Sequence, residues 1–546
     1  MPVNVKLAEV AILFVEWRMR ITPFRSMSLI FWLLIVPATL LQADPMYSRS
    51  STQVLTLNGL YRADGRSAPL ISFPVTRREL AQQAERLLKL TDDADLQADI
   101  EHFLLEIAVP DDSGPRIGGH IRSTAHAQSV DVSEYIPHDL ARALLQVPPY
   151  ITTQLYLEHP EGILLSIRDD RQLEYRRAEH NNLPQFVPGN PTTPENNSIR
   201  EGYIAGSVGV ADITFGRHNI EVGPSPFSSL VISPVVPFLD ALRITTALGP
   251  VRMTYFASTL ENRAADRDVT IRRNNDEESE FYDFDRNTIF FNLHYFEYHF
   301  GRVRAGIGSH VVIARPMNQF HLGDFFPVDS WHNHNFTPKN IALIGDISLL
   351  LHPEAELYVI YGLDDVYGES IGIGDDDTPT IWAYIAGAQG SSALPIGSLR
   401  WAAEIGSTHY LWGSFDTGEE LARAIYRMDL SGPNQLMPLT GRYGPGVQWL
   451  AARLQQDVGS MLSLQFNLEL LGRTSANLID TPYQRNDDLL SETRRMEMHT
   501  SLRTEYTPLR GLKLMLEPGV RLLDEIWQPT IAGSISYTWR FEQIVP

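Results

Sequence analysis

Two short stretches carry the side chains best suited to chemistry. In "DSWHNHNF" His332 and His334 stand two apart, a spacing that lets alternate residues of an extended loop share a metal, but no HExxH pattern and no second carboxylate set accompanies them. In "STHY" Ser407 and His409 are also two apart, without the placed third group that orients the base of a catalytic dyad. No GxSxG, P-loop or dinucleotide fingerprint occurs. Cysteine is absent, which removes thiolate nucleophiles, Cys-based metal sites and disulfides. The residues therefore predict a protein that is not an enzyme and needs no cofactor.

Charge sets the partners. A formal net charge of -21 argues against nucleic acid, whose phosphates require clustered Lys and Arg. Sugars, lipids and divalent cations are easier partners. Asp364 and Asp365, with Glu369 and the run Asp375 to Asp377, form an acidic loop that could take Ca2+. The loop lacks the spacing of a defined calcium loop, so a solvated face is its simplest use.

The elements that must position these groups follow from periodicity. From Tyr150 to the C-terminus apolar residues recur at every second position: in "MLSLQFNLEL" Leu462, Leu464, Phe466, Leu468 and Leu470 alternate with Ser463, Gln465, Asn467 and Glu469. Each such ribbon has one greasy and one wet face. Ile341, Leu343, Ile347, Leu349 and Leu351 share a face, as do Ile535, Tyr537, Trp539 and Phe541. Tight turns at 248 to 250, 300 to 302, 352 to 355, 457 to 460 and 508 to 511 alternate with long polar segments at 262 to 286, 316 to 339, 366 to 378, 413 to 445 and 474 to 491. Short turns on one rim and long loops on the other predict an outer-membrane β-barrel, with leucines toward lipid and polar residues lining a wet lumen. Mean hydropathy of -0.15 fits, since only alternate strand residues meet lipid. One further strand at His120 to Val130 makes the total even, at about 18. Tyr537, Trp539 and Phe541 suit an interfacial belt. A short helix is expected at Glu419 to Arg427.

The N-terminal part differs. Arg18, Arg20 and Arg25 precede the apolar run Leu29 to Leu41 and then Ala43, the pattern of an export signal over residues 1–43. Residues 44–149 read as a small helical unit with one or two strands, and residues 150–546 as the barrel. Thr76 and Glu79 form a capping box ahead of Leu80, Ala84, Leu87 and Leu88. Leu96, Ile100, Phe103 and Leu104 follow the acidic "TDDAD" start of a second helix. Pro137 opens a third, ahead of Leu140 and Leu144.

Within this frame Arg217 and Glu221 are expected to pair inside the lumen. Asp346, flanked by apolar neighbours, must point away from lipid, because a carboxylate at mid-bilayer is costly. Arg272 and Arg273, in the long loop after Glu261, are the local basic spots for an anionic partner.

"FGRHNIEVGPSPFSSLVIS", Phe215 to Ser233, followed by "ALRITTALGPVRMTYFASTL", resembles the outer-membrane capsule assembly proteins of the Wzi type. "KNIALIGDISLLLHPEAELYVIYGLDD", Lys339 to Asp365, and "GRYGPGVQWLAARL", Gly441 to Leu454, resemble the same family in the same order. The resemblance implies an 18-stranded barrel with a helical unit, located in the outer membrane and holding exported polysaccharide at the cell surface. The family's aromatic residues before the Gly-Pro turn are here Ile220, Glu221 and Val222, so this segment offers no ring to stack on a sugar. The alternative is a porin or solute transporter whose acidic lumen favours cations. A lumen blocked by the helical unit and bulky polar side chains favours the first, an open waist the second.

Overall fold

The computed structural model describes residues 46–108, 114–128, 149–159, 163–171, 175–177, 186–188, 199–260, 288–315, 339–365, 380–413, 425–428, 435–474, 495–523 and 526–544. The export signal, the expected helix at Pro137, the His332/His334 pair and most of the long polar segments lie outside these residues.

Eighteen antiparallel strands close into one barrel in which every strand pairs with its neighbours in sequence and the last pairs with the first. They are β1 Arg116–Gln128, β2 Ile151–Glu158, β3 Leu164–Arg171, β4 Ile199–Val208, β5 Ala211–His218 and β6 Leu239–Leu248. Next come β7 Val251–Leu260, β8 Thr288–Phe300, β9 Val303–Arg315, β10 Lys339–His352, β11 Ala355–Asp365 and β12 Ile381–Leu394. The circuit ends with β13 Gly397–Thr408, β14 Val447–Val458, β15 Leu462–Arg473, β16 Arg495–Leu509, β17 Leu512–Leu523 and β18 Ile526–Ile544. The strand expected at His120 is β1, so the barrel begins inside the span assigned to the helical unit. Closure gives every strand two partners and leaves no edge, the condition for strands in lipid. The short turns fall where the sequence places them. At Leu248 to Val251 the turn is Gly-Pro with Gly249 at φ 59, the left-handed first position that a two-residue hairpin of this type requires.

The outward face is an apolar band. On β10 Leu343, Ile347, Leu349 and Leu351 are exposed while Ala342, Ile344, Asp346 and Ser348 are buried. Tyr537 and Trp539 are exposed on β18. On β15 Phe466 is 43% exposed, whereas its neighbours turn inward: Gln465 Nε2 donates to Asn467 Oδ1 at 2.9 Å and Asn467 Nδ2 to Ser501 Oγ at 3.2 Å. Phe466→Arg should therefore cost about 2–4 kcal/mol near the midplane, whereas Gln465→Arg enters a polar lumen and costs little. Urea titration of the barrel reconstituted in liposomes reads the difference, and equal stability of the two variants would contradict the facing.

Three helices pack at the short-turn end: α1 Thr52–Ala63, α2 Arg77–Leu90 and α3 Ala94–Ile107. Thr76 caps α2 by accepting the Glu79 N–H at 3.0 Å, and Asp93 caps α3 by accepting from Asp95 and Leu96. Their inner stripes form a core of Val54, Leu57, Leu80, Ala84, Ile100 and Phe103, joined by Tyr61. The Tyr61 hydroxyl donates to the Gln83 carbonyl at 2.9 Å, and burial pushes its pKa up. The unit docks on the turns: Ser67 N–H donates to Gly301 O at 3.0 Å, and Arg78 donates to Gly209 O. Where a short helix was expected, Ile425–Met428 is instead a strand paired with Gln435–Pro438. Its β-branched and aromatic pair Ile425 and Tyr426 suits a hairpin better than a helix.

Candidate functional site

The inward faces of β6 to β13 carry the groups that decide what the barrel can hold. The chain between α1 and α2 rises into the lumen, and Ser72–Phe73 pairs antiparallel with Glu221–Val222 of the segment that follows β5. Gly223 N–H donates to Ile71 O at 3.0 Å. Arg49 ties both chains, with Nε at 3.0 Å from Glu221 and Nη2 at 2.6 Å from Gly223 O. The stretch from Ile220 to Phe238 thus folds into the barrel instead of running over its rim. It buries Phe227, Leu230, Val231 and Ile232 against Phe256, Phe291, Ile344, Ile360 and Trp412. A run so apolar cannot face water, and the filled lumen is where it escapes it.

Two buried polar centres fix this filling. At the short-turn end Glu79 of α2 does not close its capping box. Its carboxylate reaches Arg252 Nε at 2.5 Å, and Arg252 Nη1 meets Glu297 at 2.7 Å. Arg252 Nη2 also donates to Ser72 O at 3.1 Å, and Arg243 donates to Ser72 Oγ at 3.2 Å. All these side chains are buried, so each charge depends on its partners for solvation. Nearer the loop rim Glu404 accepts from Tyr358 Oη at 3.0 Å, from Trp449 Nε1 at 2.9 Å and from Ser225 Oγ. Ser225 Oγ in turn accepts the N–H groups of Phe227 and Ser228. Gly387 and Gly406 lie under the Tyr358 and Trp449 rings, where any Cβ would collide. A third loop closes over the segment, with Gly441 N–H donating to Ser229 O at 2.8 Å and Ser233 N–H to Leu439 O at 2.7 Å.

The sequence-predicted residues are scattered relative to these centres. Asp346 points inward as expected, with Arg304 and Tyr295 on its carboxylate. Asp364 accepts the Gly413 N–H at 2.7 Å. Asp365 ends β11; its side chain, like Arg272 and Arg273, lies outside the described residues. The expected Arg217–Glu221 pair is not formed. Strand alternation puts Arg217 on the same outward face as Phe215, which is 58% exposed. There its guanidinium makes two contacts of 2.8 Å with Asp240 and lies 4.2 Å over the Phe238 ring. Glu221, past the strand end, turns inward to Arg49. Ser407 and His409 form no dyad: the His409 ring accepts the Leu411 N–H at 3.2 Å and stacks near Tyr410. Among the described residues no group of three His, Asp or Glu could hold a metal.

Glu79, Ser225, Arg252 and Glu404 were not singled out from the sequence. The inward register of Arg252 and Glu404 was readable from strand alternation, but their partners were not, since these are 173 and 179 residues away.

No family model matches the chain, and no curated protein matches it. Among solved structures it is similar to Wzi of Escherichia coli, an outer membrane protein involved in group 1 capsule assembly and described as a carbohydrate-binding β-barrel. That match has a TM-score of 0.55 at 12% identity, over 92% of this chain and 99% of that one. OccK1 of Pseudomonas aeruginosa matches with a TM-score of 0.38 at 10% identity, over 78% of this chain and 99% of that one. A BenF-like porin of Pseudomonas fluorescens gives 0.36 at 10% identity, over 79% and 99%. The chain has the fold of the capsule-assembly barrel Wzi, a closed barrel of 18 antiparallel strands with a small helical unit.

Proposed function

We propose that the protein resides in the outer membrane and retains an exported polysaccharide at the cell surface, without cleaving it. One observation carries this reading over the diffusion-pore alternative. The rising Ser72–Phe73 chain and the inward Ile220 to Phe238 segment meet and pair in the lumen, so Phe, Leu and Trp side chains pack inside the barrel where a diffusion pore needs open space. The similarity to a carbohydrate-binding barrel supports the same reading. Contact with polymer then falls to the segments beyond the strand ends opposite the helical unit. There Arg272 and Arg273 offer cationic groups to an anionic chain, and the acidic run Asp375 to Asp377 offers a site for Ca2+ to bridge.

The test compares polymer display in a strain lacking the gene with display in one carrying Arg272→Glu and Arg273→Glu. Loss of cell-bound polymer in both, with shed polymer of unchanged length in the medium, is the expected result. Normal display in the deletion strain, together with free ion conduction by the purified protein in a planar bilayer, would favour the pore.

A further inference from the structure

The lumen is filled unevenly. Inward residues of β6 to β11, such as Arg243, Thr254, Asn292, Arg304 and Ser348, are buried. On β14 to β18 the inward residues toward the short turns, such as Gln455, Gln465, Arg503 and Ser536, remain half-buried, whereas Glu469, Glu497 and Ser501 nearer the loop rim are buried. The less filled part of the lumen therefore lies against the short-turn halves of these strands, and its arginines report what it can hold. Arg400 is 2.8 Å from Asp457, Arg503 is 2.8 Å from Glu517 and Arg442 is 3.7 Å from Glu469. Each of these three cations has its own carboxylate.

Arg453 lies among them and has none. Among the described residues no carboxylate and no hydrogen-bond acceptor meets its guanidinium; its one close partner is the Phe227 ring, 5.2 Å from Cζ. Its Nε is buried without a partner, while the side chain as a whole is only half-buried. The cations Arg442, Arg503 and Arg400 all act on it, opposed among its neighbours by the Tyr443 phenol. Across the strands it faces Ala402 on β13 and Asn467 on β15. The Ala402 side chain offers it no polar partner, and the Asn467 amide is bonded to Gln465 and Ser501.

An arginine presents five N–H donors in a planar fork matched to the two oxygens of an oxyanion. Leaving such donors unmade in a partly desolvated wall is unfavourable, because they have lost water without gaining a protein acceptor. A cation short of a counter-charge, beside three neutralised arginines and against an aromatic face, fits an anion and excludes a second cation. We propose that Arg453 anchors an oxyanion-binding site in the less filled part of the lumen, taking a carboxylate or phosphate group through its open N–H edge. The site is independent of the contacts assigned to surface polymer above, since it lies within the barrel wall.

Ligand-observed saturation-transfer NMR on the full chain in detergent micelles tests this, with glucuronate, glucose 1-phosphate and methyl glucoside as probes. The expected result is transfer to one or both anionic probes, weakened about tenfold in Arg453→Gln, with little transfer to the neutral glucoside. Transfer to glucuronate alone assigns the site to carboxylates, and transfer to glucose 1-phosphate alone to phosphates. Equal signals from charged and neutral probes, or undiminished signals in a heat-modifiable and therefore folded Arg453→Gln, would overturn it. If Arg453→Gln does not fold, Arg453→Lys keeps the charge but loses the fork, and binding equal to wild type in that variant would equally overturn the proposal.

Discussion

Replacing Arg252 by methionine is expected to destabilise the barrel by about 3–5 kcal/mol, the usual result of removing one member of a buried charge network. The reason is specific. Glu79 and Glu297 sit at 2.5 and 2.7 Å from this one guanidinium, and without it two buried carboxylates repel each other inside the lumen. Methionine fills much of the arginine volume, so the loss reflects charge and hydrogen bonding more than a cavity. Glu79→Gln should cost less, because the amide oxygen still accepts from Arg252 and one negative charge remains on Glu297. Glu79 belongs to α2 and Arg252 to β7, so the Arg252 variant should also loosen the helical unit from the wall. Heat-modifiability on gels reads the first effect and trypsin release of the helical unit reads the second. An Arg252→Met barrel as heat-stable and trypsin-resistant as wild type would show that the network carries no net stability.

What the sequence made legible follows from the range of each signal. Strand alternation is local, and it put Phe466 outside, Asp346 inside and the tight turns on one rim without any knowledge of partners. Helix caps are local too: Thr76 caps α2 as read, and the acidic start read for the next helix supplies its cap in Asp93. Glu79 shows the limit: a Glu at the third helical position satisfies the capping-box pattern, so nothing local announces that it pairs with an arginine 173 residues away. Arg217 shows a second limit. Its face was readable from the exposed Phe215 two residues earlier, but the appeal of a nearby Glu221 overrode the alternation, which the structure obeys. The inward segment was readable in one respect. Leu230, Val231 and Ile232 are too apolar for a loop in water, yet sequence alone could not choose between lipid, a partner and the protein's own lumen as their cover.

The second large effect concerns what keeps that segment inside. Glu404→Ala removes the acceptor for Tyr358, Trp449 and Ser225 together, and each orphaned buried donor costs about 1–3 kcal/mol. Two of those donors belong to the wall and one to the segment, so the variant weakens both. Ser225→Ala separates the two. It leaves Tyr358 and Trp449 bonded to Glu404 and removes the hydroxyl that holds the segment to the carboxylate and accepts from Phe227 and Ser228 N–H. If the segment is a plug latched at this point, both variants should expose Phe227 to chymotrypsin and raise ion conductance in a planar bilayer above that of wild type, with Ser225→Ala leaving barrel stability closer to native. If Glu404 serves the wall alone, Glu404→Ala will lose stability while Ser225→Ala stays silent in both assays. The main-chain pairing of Gly223 with Ile71 and of Ser229 with Gly441 survives either substitution. Opening is therefore expected as brief excursions of the Ser225 to Ile232 stretch, seen as flickering current steps, and a steady open level would mean that the whole pairing with Ser72–Phe73 had been lost.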